Sequence, residues 1–208
     1  EEVGLALPVL ADEEDLGTAK VLIDGKAPSE FPELYYHTRP SPTPVAGRPA
    51  FNAIEHEAPL QEETWTAKIL ECDPDEERDI LRFEVIGSKT GPDGQGSHDE
   101  RFVSNSGRVV IPANQWMVNW SLNYRGVELP EDYEVTWETK LQGTDVYEAP
   151  LTEDPAREYP TMLAQGLANA EHTLTLTPNG DGGVPVAGFR VYRPGLGHGA
   201  SGMGNDDG

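Results

Sequence analysis

Residues 80–86 read ILRFEVI, and the centre of this stretch alternates large apolar side chains with charged ones. Leu81, Phe83 and Val85 would lie on one face of an extended chain, with the charged residues between them on the other. Alternation with a period of two indicates a β-strand, because successive side chains of a strand point to opposite faces of the sheet. The stretch therefore predicts a strand with one buried face and one wet face.

The same alternation predicts further strands at 19–23, 64–72, 133–141, 172–177 and 184–192. The 22 Gly and 18 Pro residues lie between short alternating runs rather than in one tract. This distribution is typical of an all-β domain with many turns. We expect a single antiparallel β-sandwich with long loops over residues 19–194, between an N-terminal segment (1–18) and a flexible Gly-rich tail (195–208).

The stretch QWMVNWSLNY, residues 115–124, carries three large rings at steps of four: Trp116, Trp120 and Tyr124. Such spacing suits a helix face, a sugar-stacking platform or the inside of a sheet. Only a strand also places Val118 and Leu122 on the same face as the rings, so the strand is favoured and the rings are expected in the core. We expect this strand to pair antiparallel with 133–141.

Two further local signals lie in the last third of the chain. The glycine-rich run NGDGG, residues 179–183, predicts a tight turn that joins 172–177 to 184–192 as a β-hairpin. Residues 153–168 carry the one stretch that favours a helical turn, with Asp154 as its N-cap.

The charge balance is strongly acidic, with 37 acidic and 15 basic residues and a formal net charge of −22. Such a field repels phosphate backbones and anionic lipids, so neither nucleic acid nor a membrane is expected as a partner. Either adaptation to salty surroundings or a surface that collects divalent cations would account for it. Cys72 is the only cysteine, so no intrachain disulfide is possible.

The N-terminal apolar run VGLALPVL, residues 3–10, is too short to span a membrane and follows two glutamates, unlike a usual signal peptide. An unpaired apolar strand at a chain end can complete the sheet of a neighbouring molecule. Self-assembly through residues 3–10 is therefore one expectation.

A candidate ligand site lies in ELYYHTRP. Tyr35 and Tyr36 are adjacent, so both cannot point into the core of a strand, and one ring is expected to face outwards. With His37 and Arg39 nearby, the four residues could form a patch for a sugar or another polar ligand. Packing of an edge strand is the alternative.

Carboxylates on the Gly-rich loop of residues 88–101 suggest a hard-cation site. Asp93, Asp99 and Glu100 supply oxygen ligands of the kind that Ca²⁺ takes, and the turn around Asn179 and Asp181 offers a weaker second set. Solvated acidic turns are the alternative, because the spacing lacks the twelve-residue ligand pattern of a helix-loop-helix calcium site.

No catalytic residue is predicted. The sequence contains no GxSxG, HExxH or CxxC motif. Cys72 precedes the acidic run DPDEE, which would disfavour a thiolate. The sequence therefore leans against an enzyme.

Residues 154–194, DPAREYPTMLAQGLANAEHTLTLTPNGDGGVPVAGFRVYRP, resemble the C-terminal part of β-sandwich domains that accompany SGNH (GDSL-like) hydrolases in planctomycete-type bacteria. There a segment of the type LAQGLxNGxHTL leads into a final hairpin ending in RVYRP. FVSNSGRVVIPANQW, residues 102–116, resembles the same family, so the likeness extends over about 19–194. It implies an exported jelly-roll or galactose-binding-like accessory sandwich, and it carries no catalytic block.

These expectations lead to a non-catalytic, extracellular or cell-surface module that binds a polysaccharide or a surface partner. Two alternatives remain open. One is a structural subunit of an extracellular filament or surface layer assembled by strand addition, and the other is a hydrolase with an unrecognised site.

Overall fold

The computed structural model describes residues 2–6, 16–42, 49–75, 78–113, 115–117, 132–149 and 160–192. The predicted all-β fold is confirmed: about half of the described residues lie in strands, which form several antiparallel sheets, consistent with a β-sandwich. Over the described part of the chain, no helix has the length and apolar character needed to cross a membrane.

The strands, numbered in chain order, are β1 Glu2–Ala6, β2 Thr18–Ile23, β3 Tyr35–His37, β4 Glu63–Asp75, β5 Arg78–Gly87, β6 Gly91–Ser97, β7 Phe102–Val103, β8 Val110–Ile111, β9 Glu134–Leu141, β10 Val146–Glu148, β11 Thr161–Gln165, β12 Leu174–Pro178 and β13 Gly188–Tyr192. Two short 3-10 turns cover Pro28–Glu30 and Pro32–Leu34.

The chain forms two compact units. The central unit spans residues 35–141, and the terminal unit is built from residues 1–34 and 142–208. The central unit is thus inserted, along the chain, between the two segments of the terminal unit. The expectation of one sandwich over 19–194 stays a prediction.

The central unit contains a five-stranded antiparallel sheet in the order β3-β9-β4-β5-β6. β4 and β5 form its longest pair and include the stretch quoted first. Leu81, Phe83 and Val85 are fully buried, and Arg82 between them is exposed. The predicted two-faced strand is therefore confirmed.

Aromatic rings fill the core on the inner face of this sheet. Phe51 lies 4.7 Å from Trp116 and 5.4 Å from Trp137 between ring centroids. Phe83 lies 4.7 Å from Trp116, with the two rings tilted by 42°. Burial of each such side chain contributes roughly 1.5–3 kcal/mol to stability. Trp116 therefore lies in the core as predicted, whereas Trp120 and Tyr124 lie outside the described residues.

Most of the predicted strand 115–124 lies outside the described residues, so its pairing with 133–141 stays a prediction; within its described part, Trp116 forms a bridge with Phe51. β9 pairs on one edge with β4, from Glu134 to Thr139, and on the other edge with β3. Segments from earlier in the chain therefore occupy both of its edges. Alternation defines which face of a strand is buried, but it does not select the partner strand.

The terminal unit contains two three-stranded antiparallel sheets, β10-β2-β12 and β11-β1-β13. A small core forms from Ala19, Val21, Tyr147 and Leu163. β11 lies within the stretch that favoured a helical turn, and its Thr161–Gln165 run is a strand, whereas Asp154 lies outside the described residues.

The predicted C-terminal hairpin is wrong, although both of its strands exist. β12 pairs with β2 and β13 pairs with β1, so the two belong to different sheets. The NGDGG run connects them and is anchored to the start of β2: the Asp181 carboxylate accepts hydrogen bonds from Thr18 N at 2.8 Å and Thr18 Oγ1 at 2.6 Å. These hydrogen bonds lower the pKa of Asp181. The loop is therefore a connection between sheets rather than a hairpin turn.

Gly96 on β6 gives a test of the aromatic core. A Cβ added there would lie 2.6 Å from Phe102 Cδ2 and 3.0 Å from Phe83 Cζ. Because both rings are held in the core, we expect Gly96→Ala to lower the free energy of unfolding by about 1–3 kcal/mol, measured by urea denaturation.

Gly188→Ala is the matched control, because a Cβ on this strand glycine would meet no atom within 4 Å. Equal losses from the two variants would contradict this account of the packing.

Candidate functional site

The segment that carries the predicted ligand residues continues along one edge of β9. β3 pairs with residues 139–141, and Thr38 N and Ser41 N then donate to the carbonyl oxygens of Glu138 and Thr136 at 2.7 and 2.8 Å. In return the hydroxyls of Thr38 and Ser41 accept from Glu138 N and Thr136 N, each at 2.9 Å. Pro40 has no N–H to donate to a regular ladder, and on either side of it the hydroxyls of Thr38 and Ser41 act as acceptors for β9.

Two of the four predicted ligand residues are exposed and two are partly buried. Tyr36 is 38% exposed and Arg39 is also exposed, whereas Tyr35 and His37 are partly buried. The expectation that one of the adjacent tyrosines faces outwards is confirmed, and Tyr36 is that residue.

His37 is held by hydrogen bonds at both ring nitrogens. Nε2 donates to the carbonyl oxygen of Arg108 at 3.0 Å, because a carbonyl can only accept. Nδ1 therefore lacks a proton in the neutral ring and accepts from Thr139 Oγ1 at 3.0 Å. Thr139 in turn accepts from the Trp65 indole Nε1 at 2.9 Å. One chain of hydrogen bonds thus runs from Trp65 to Arg108.

Burial keeps the His37 ring neutral. Burial lowers the pKa of His37 to about 4, and it outweighs the hydrogen bond to the Arg108 carbonyl, which raises the pKa. Since both nitrogens already have partners in the protein, the ring can offer a ligand its edge and its apolar surface rather than a free nitrogen.

Glu63 organises the neighbouring turn of residues 88–90. Its carboxylate accepts from Gln61 Nε2, from Thr90 N and Oγ1, and from Lys89 N, at 2.8–3.1 Å. Burial raises the pKa of Glu63, but these hydrogen bonds together lower it below its usual range. Arg108 Nη1 also donates to Thr90 Oγ1 at 3.2 Å, which links this turn to the His37 network.

Two open grooves flank the segment after His37. The larger, of about 470 Å³, is lined by His37, Thr38, Arg39, Pro40, Pro49, Asn52, Ala53 and Ile54. The smaller, of about 280 Å³, is lined by Thr38, Arg39, Ser41, Thr64, Thr136, Trp137 and Glu138. The larger volume is within the range of small-molecule sites. Thr38 and Arg39 line both grooves.

Two polar side chains of the larger groove have unused hydrogen-bonding capacity. Over the described part of the chain, neither the Arg39 guanidinium nor the Asn52 amide has a hydrogen-bond or ion-pair partner. Together they offer several donors and one acceptor beside the apolar surface of Ile54 and Pro49. Such a mixture of groups can bind a polar ligand with hydroxyl groups.

The structure extends the sequence-predicted ligand set rather than reproducing it. His37 and Arg39 line the larger groove, whereas Tyr35 and Tyr36 line neither groove. Asn52 and Ile54 were missed, because they lie beyond a proline-rich stretch and carry no motif. Only the fold brings them near residues 37–39.

The three residues predicted to bind calcium have different surroundings. Asp93 is 2% exposed, and its carboxylate accepts from Ser106 N at 2.8 Å and from Ser106 Oγ at 2.6 Å. Asp99 is exposed and accepts from Ser97 Oγ, and Glu100 is exposed as well. Within the described ranges, no group of three or more acidic, His or Cys residues is arranged to hold a metal ion. The calcium site stays a prediction.

The His37 network predicts a pH-dependent stability. Because the pKa of His37 is about 4 in the folded chain and near 6.5 when unfolded, the unfolded chain binds more protons between these values. His37 therefore makes its full contribution to the free energy of unfolding above about pH 6.5. This contribution, about 3 kcal/mol, is lost as the pH falls towards 4. Urea unfolding at a series of pH values measures it.

His37→Gln should flatten this part of the stability profile. His56→Gln is the control, since His56 is exposed and lies 6.5 Å from His37 between ring centroids. The assignment of His37 as a buried, neutral residue would be contradicted if the free energies of unfolding of wild type and His37→Gln changed in parallel between pH 6.5 and 4.

Comparison of this chain with protein-family models, with curated proteins and with solved structures found no match. The likeness to accessory domains of SGNH hydrolases therefore stays a prediction from the sequence.

Proposed function

We propose that this protein is a non-catalytic, extracellular module that binds a polysaccharide at the cell surface. The observation that carries the proposal is the position of Arg39, which is exposed, lines both grooves and has no partner among the described residues. A donor group of this kind, held at the rim of an open groove, suits a ligand that is bound along its length and is not transformed.

Tyr36 supports a sugar as the ligand. Its ring is 38% exposed, on the outer face of β3, and in register with Lys140 of β9. An exposed tyrosine combines an apolar ring face with a polar hydroxyl, as a sugar does, so the two can pack while hydrogen bonds form at the rim. Thr38, on the same strand edge, adds a hydroxyl to the groove wall.

The acidic composition and the likeness to accessory sandwiches of secreted hydrolases support the location. A net charge of −22 keeps copies of the protein apart and disfavours nucleic acid as a partner. With a single cysteine the chain cannot form an internal disulfide, so its cysteine content does not indicate whether the protein is inside or outside the cell.

Affinity electrophoresis in gels that contain polysaccharides tests this function. We expect retardation of the wild type in at least one gel, and a loss of about tenfold in affinity for Tyr36→Ala and for Arg39→Ala, because each removes a contact worth about 1.4 kcal/mol. Tyr192→Ala, which removes an exposed tyrosine of β13, is the control.

Migration that no polysaccharide alters would refute the proposal. A loss caused equally by Tyr192→Ala would instead refute the assignment of binding to the central unit.

A second candidate function, a structural subunit assembled by strand addition, is supported by the placement of β1. Glu2–Ala6 lies between β11 and β13 and is antiparallel to both. Among the described strands, β1 is the only partner of β13. Phe189 and Val191 of β13 are 53% and 56% exposed. If β1 came from a second copy, the same pairing would join two chains, and these apolar side chains would be available for the contact.

Cysteine exchange distinguishes pairing within one chain from pairing between two. Val3 of β1 is paired with Val191 of β13, and paired residues of antiparallel strands have a Cα separation that a disulfide can bridge. In a Cys72→Ala background, one chain would carry Val3→Cys and the other Val191→Cys. After mixing and mild oxidation at high salt, which screens the repulsion between copies, the subunit function predicts disulfide-linked dimers.

A mixture of Val3→Cys with Lys89→Cys, an exposed turn residue, is the collision control. The double variant Val3→Cys, Val191→Cys completes the test. An internal disulfide in a monomer, with no linked dimer from the mixed chains, would rule out strand addition by β1.

A further inference from the structure

The charges around the larger groove differ from those of the chain as a whole. The sequence has more than two acidic residues for each basic one, with 37 against 15. Yet the described lining of this groove contains no carboxylate, and Arg39 is its one charged side chain, because His37 is neutral at pH 7. The groove is thus a local positive site on an acidic protein.

Most of the other cations of the central unit whose side chains the structure describes have a partner, and Lys89 is the exception. Lys68, Arg82, Arg101 and Lys140 each form an ion pair with a carboxylate. Arg108 is also engaged, since its Nε donates to the carbonyl oxygen of Pro59 at 3.1 Å. Arg39 keeps all five of its N–H donors free of described partners.

Two carboxylates near Arg39 along the chain or in the smaller groove already have cationic partners. In the smaller groove Glu138 is paired with Lys140 at 2.6 Å. Glu57, close along the chain to the lining residues 52–54, is paired with Arg101 at 2.8 Å. No described carboxylate pairs with Arg39, so its guanidinium can take a carboxylate from outside the chain.

We propose that the ligand of the larger groove is an acidic glycan, bound through the carboxylate of a uronic acid unit to Arg39; this inference rests on the proposed polysaccharide-binding function. The planar guanidinium matches a carboxylate with two parallel hydrogen bonds. The Asn52 amide and the Thr38 hydroxyl accept and donate to ring hydroxyls, and Ile54 and Pro49 cover the apolar side of the sugar.

A singly charged carboxylate fits this groove better than a phosphate group. Phosphate carries about two charges and is usually held by several cations or main-chain N–H groups. The described groove residues supply one cation only. A uronic acid unit needs one such partner, and its hydroxyls use the neutral polar groups beside it.

The net charge of −22 gives this binding an unusual dependence on salt. Distant carboxylates of the protein repel an acidic glycan, and salt screens this repulsion beyond a Debye length of about 8 Å at physiological ionic strength. The contact with Arg39 acts at hydrogen-bond distance and is screened less. Affinity is therefore expected to hold or to rise as salt is added, opposite to the behaviour of basic polyanion-binding proteins.

Isothermal titration with a matched pair of glycans tests the proposal. Oligogalacturonate and its carboxyl-reduced, neutral counterpart differ only in the carboxylate. The wild type is expected to bind the acidic oligosaccharide about tenfold more tightly, and Arg39→Gln should remove this preference. Arg39→Lys keeps the positive charge but lacks the planar guanidinium, so it should retain part of the preference for the acidic oligosaccharide. Lys89→Gln removes one exposed charge of the same unit and should leave the preference unchanged.

The possible results separate this inference from the function on which it rests. Equal binding of the two oligosaccharides, with loss of both in Arg39→Gln, would overturn the carboxylate assignment and leave polysaccharide binding in place. Binding of neither, together with unaltered migration in every polysaccharide gel, would overturn both. Arg39-dependent binding of poly-glutamate or a sulfated polysaccharide, with none of oligogalacturonate, would overturn the uronic acid and point to an acidic peptide or a sulfate ester.

Discussion

The central unit depends on one chain of hydrogen bonds that crosses its sheet from the core to the edge. The Trp65 indole donates to Thr139, Thr139 donates to His37, and His37 donates to the carbonyl oxygen of Arg108. Each group is partly or fully buried, so a missing partner would leave a polar atom without compensation. These hydrogen bonds join β4, β9 and β3 to the segment before β8 and hold the short edge strand β3 in position.

The placement of the candidate site follows from that anchorage. Because β3 is short and Pro40 interrupts its ladder, the segment after His37 follows β9 in a departure from regular pairing, through the exchanges of Thr38 and Ser41 with β9. Arg39 lies within this departure, between the two grooves. His37 is thus neutral and hydrogen-bonded at both ring nitrogens, whereas Arg39, two residues further along, is exposed and has no partner among the described residues.

Much of the local structure was predictable, because the alternation of apolar and polar residues along the sequence indicates a strand directly. The buried row on β5 and the exposed ring of Tyr36 follow from alternation alone. Thr139 was missed as a buried residue, since a hydroxyl side chain in the inner row reads as polar until its partners, Trp65 and His37, are known. The groove residues Asn52 and Ile54 had no signal, because neither side chain belongs to a motif or to an alternating run.

The sequence by itself determined the all-β class, the positions of β2, β4, β5, β9, β12 and β13, and the buried face of β5, because these depend on interactions between residues a few positions apart. Only the tertiary structure decided which strands pair. β12 and β13 are close in sequence and carry a turn signal between them, yet they belong to different sheets, because Asp181 binds Thr18 and each strand finds an earlier partner. Pairing depends on contacts between distant segments, and period-two patterns are alike for every strand, so they cannot select among partners.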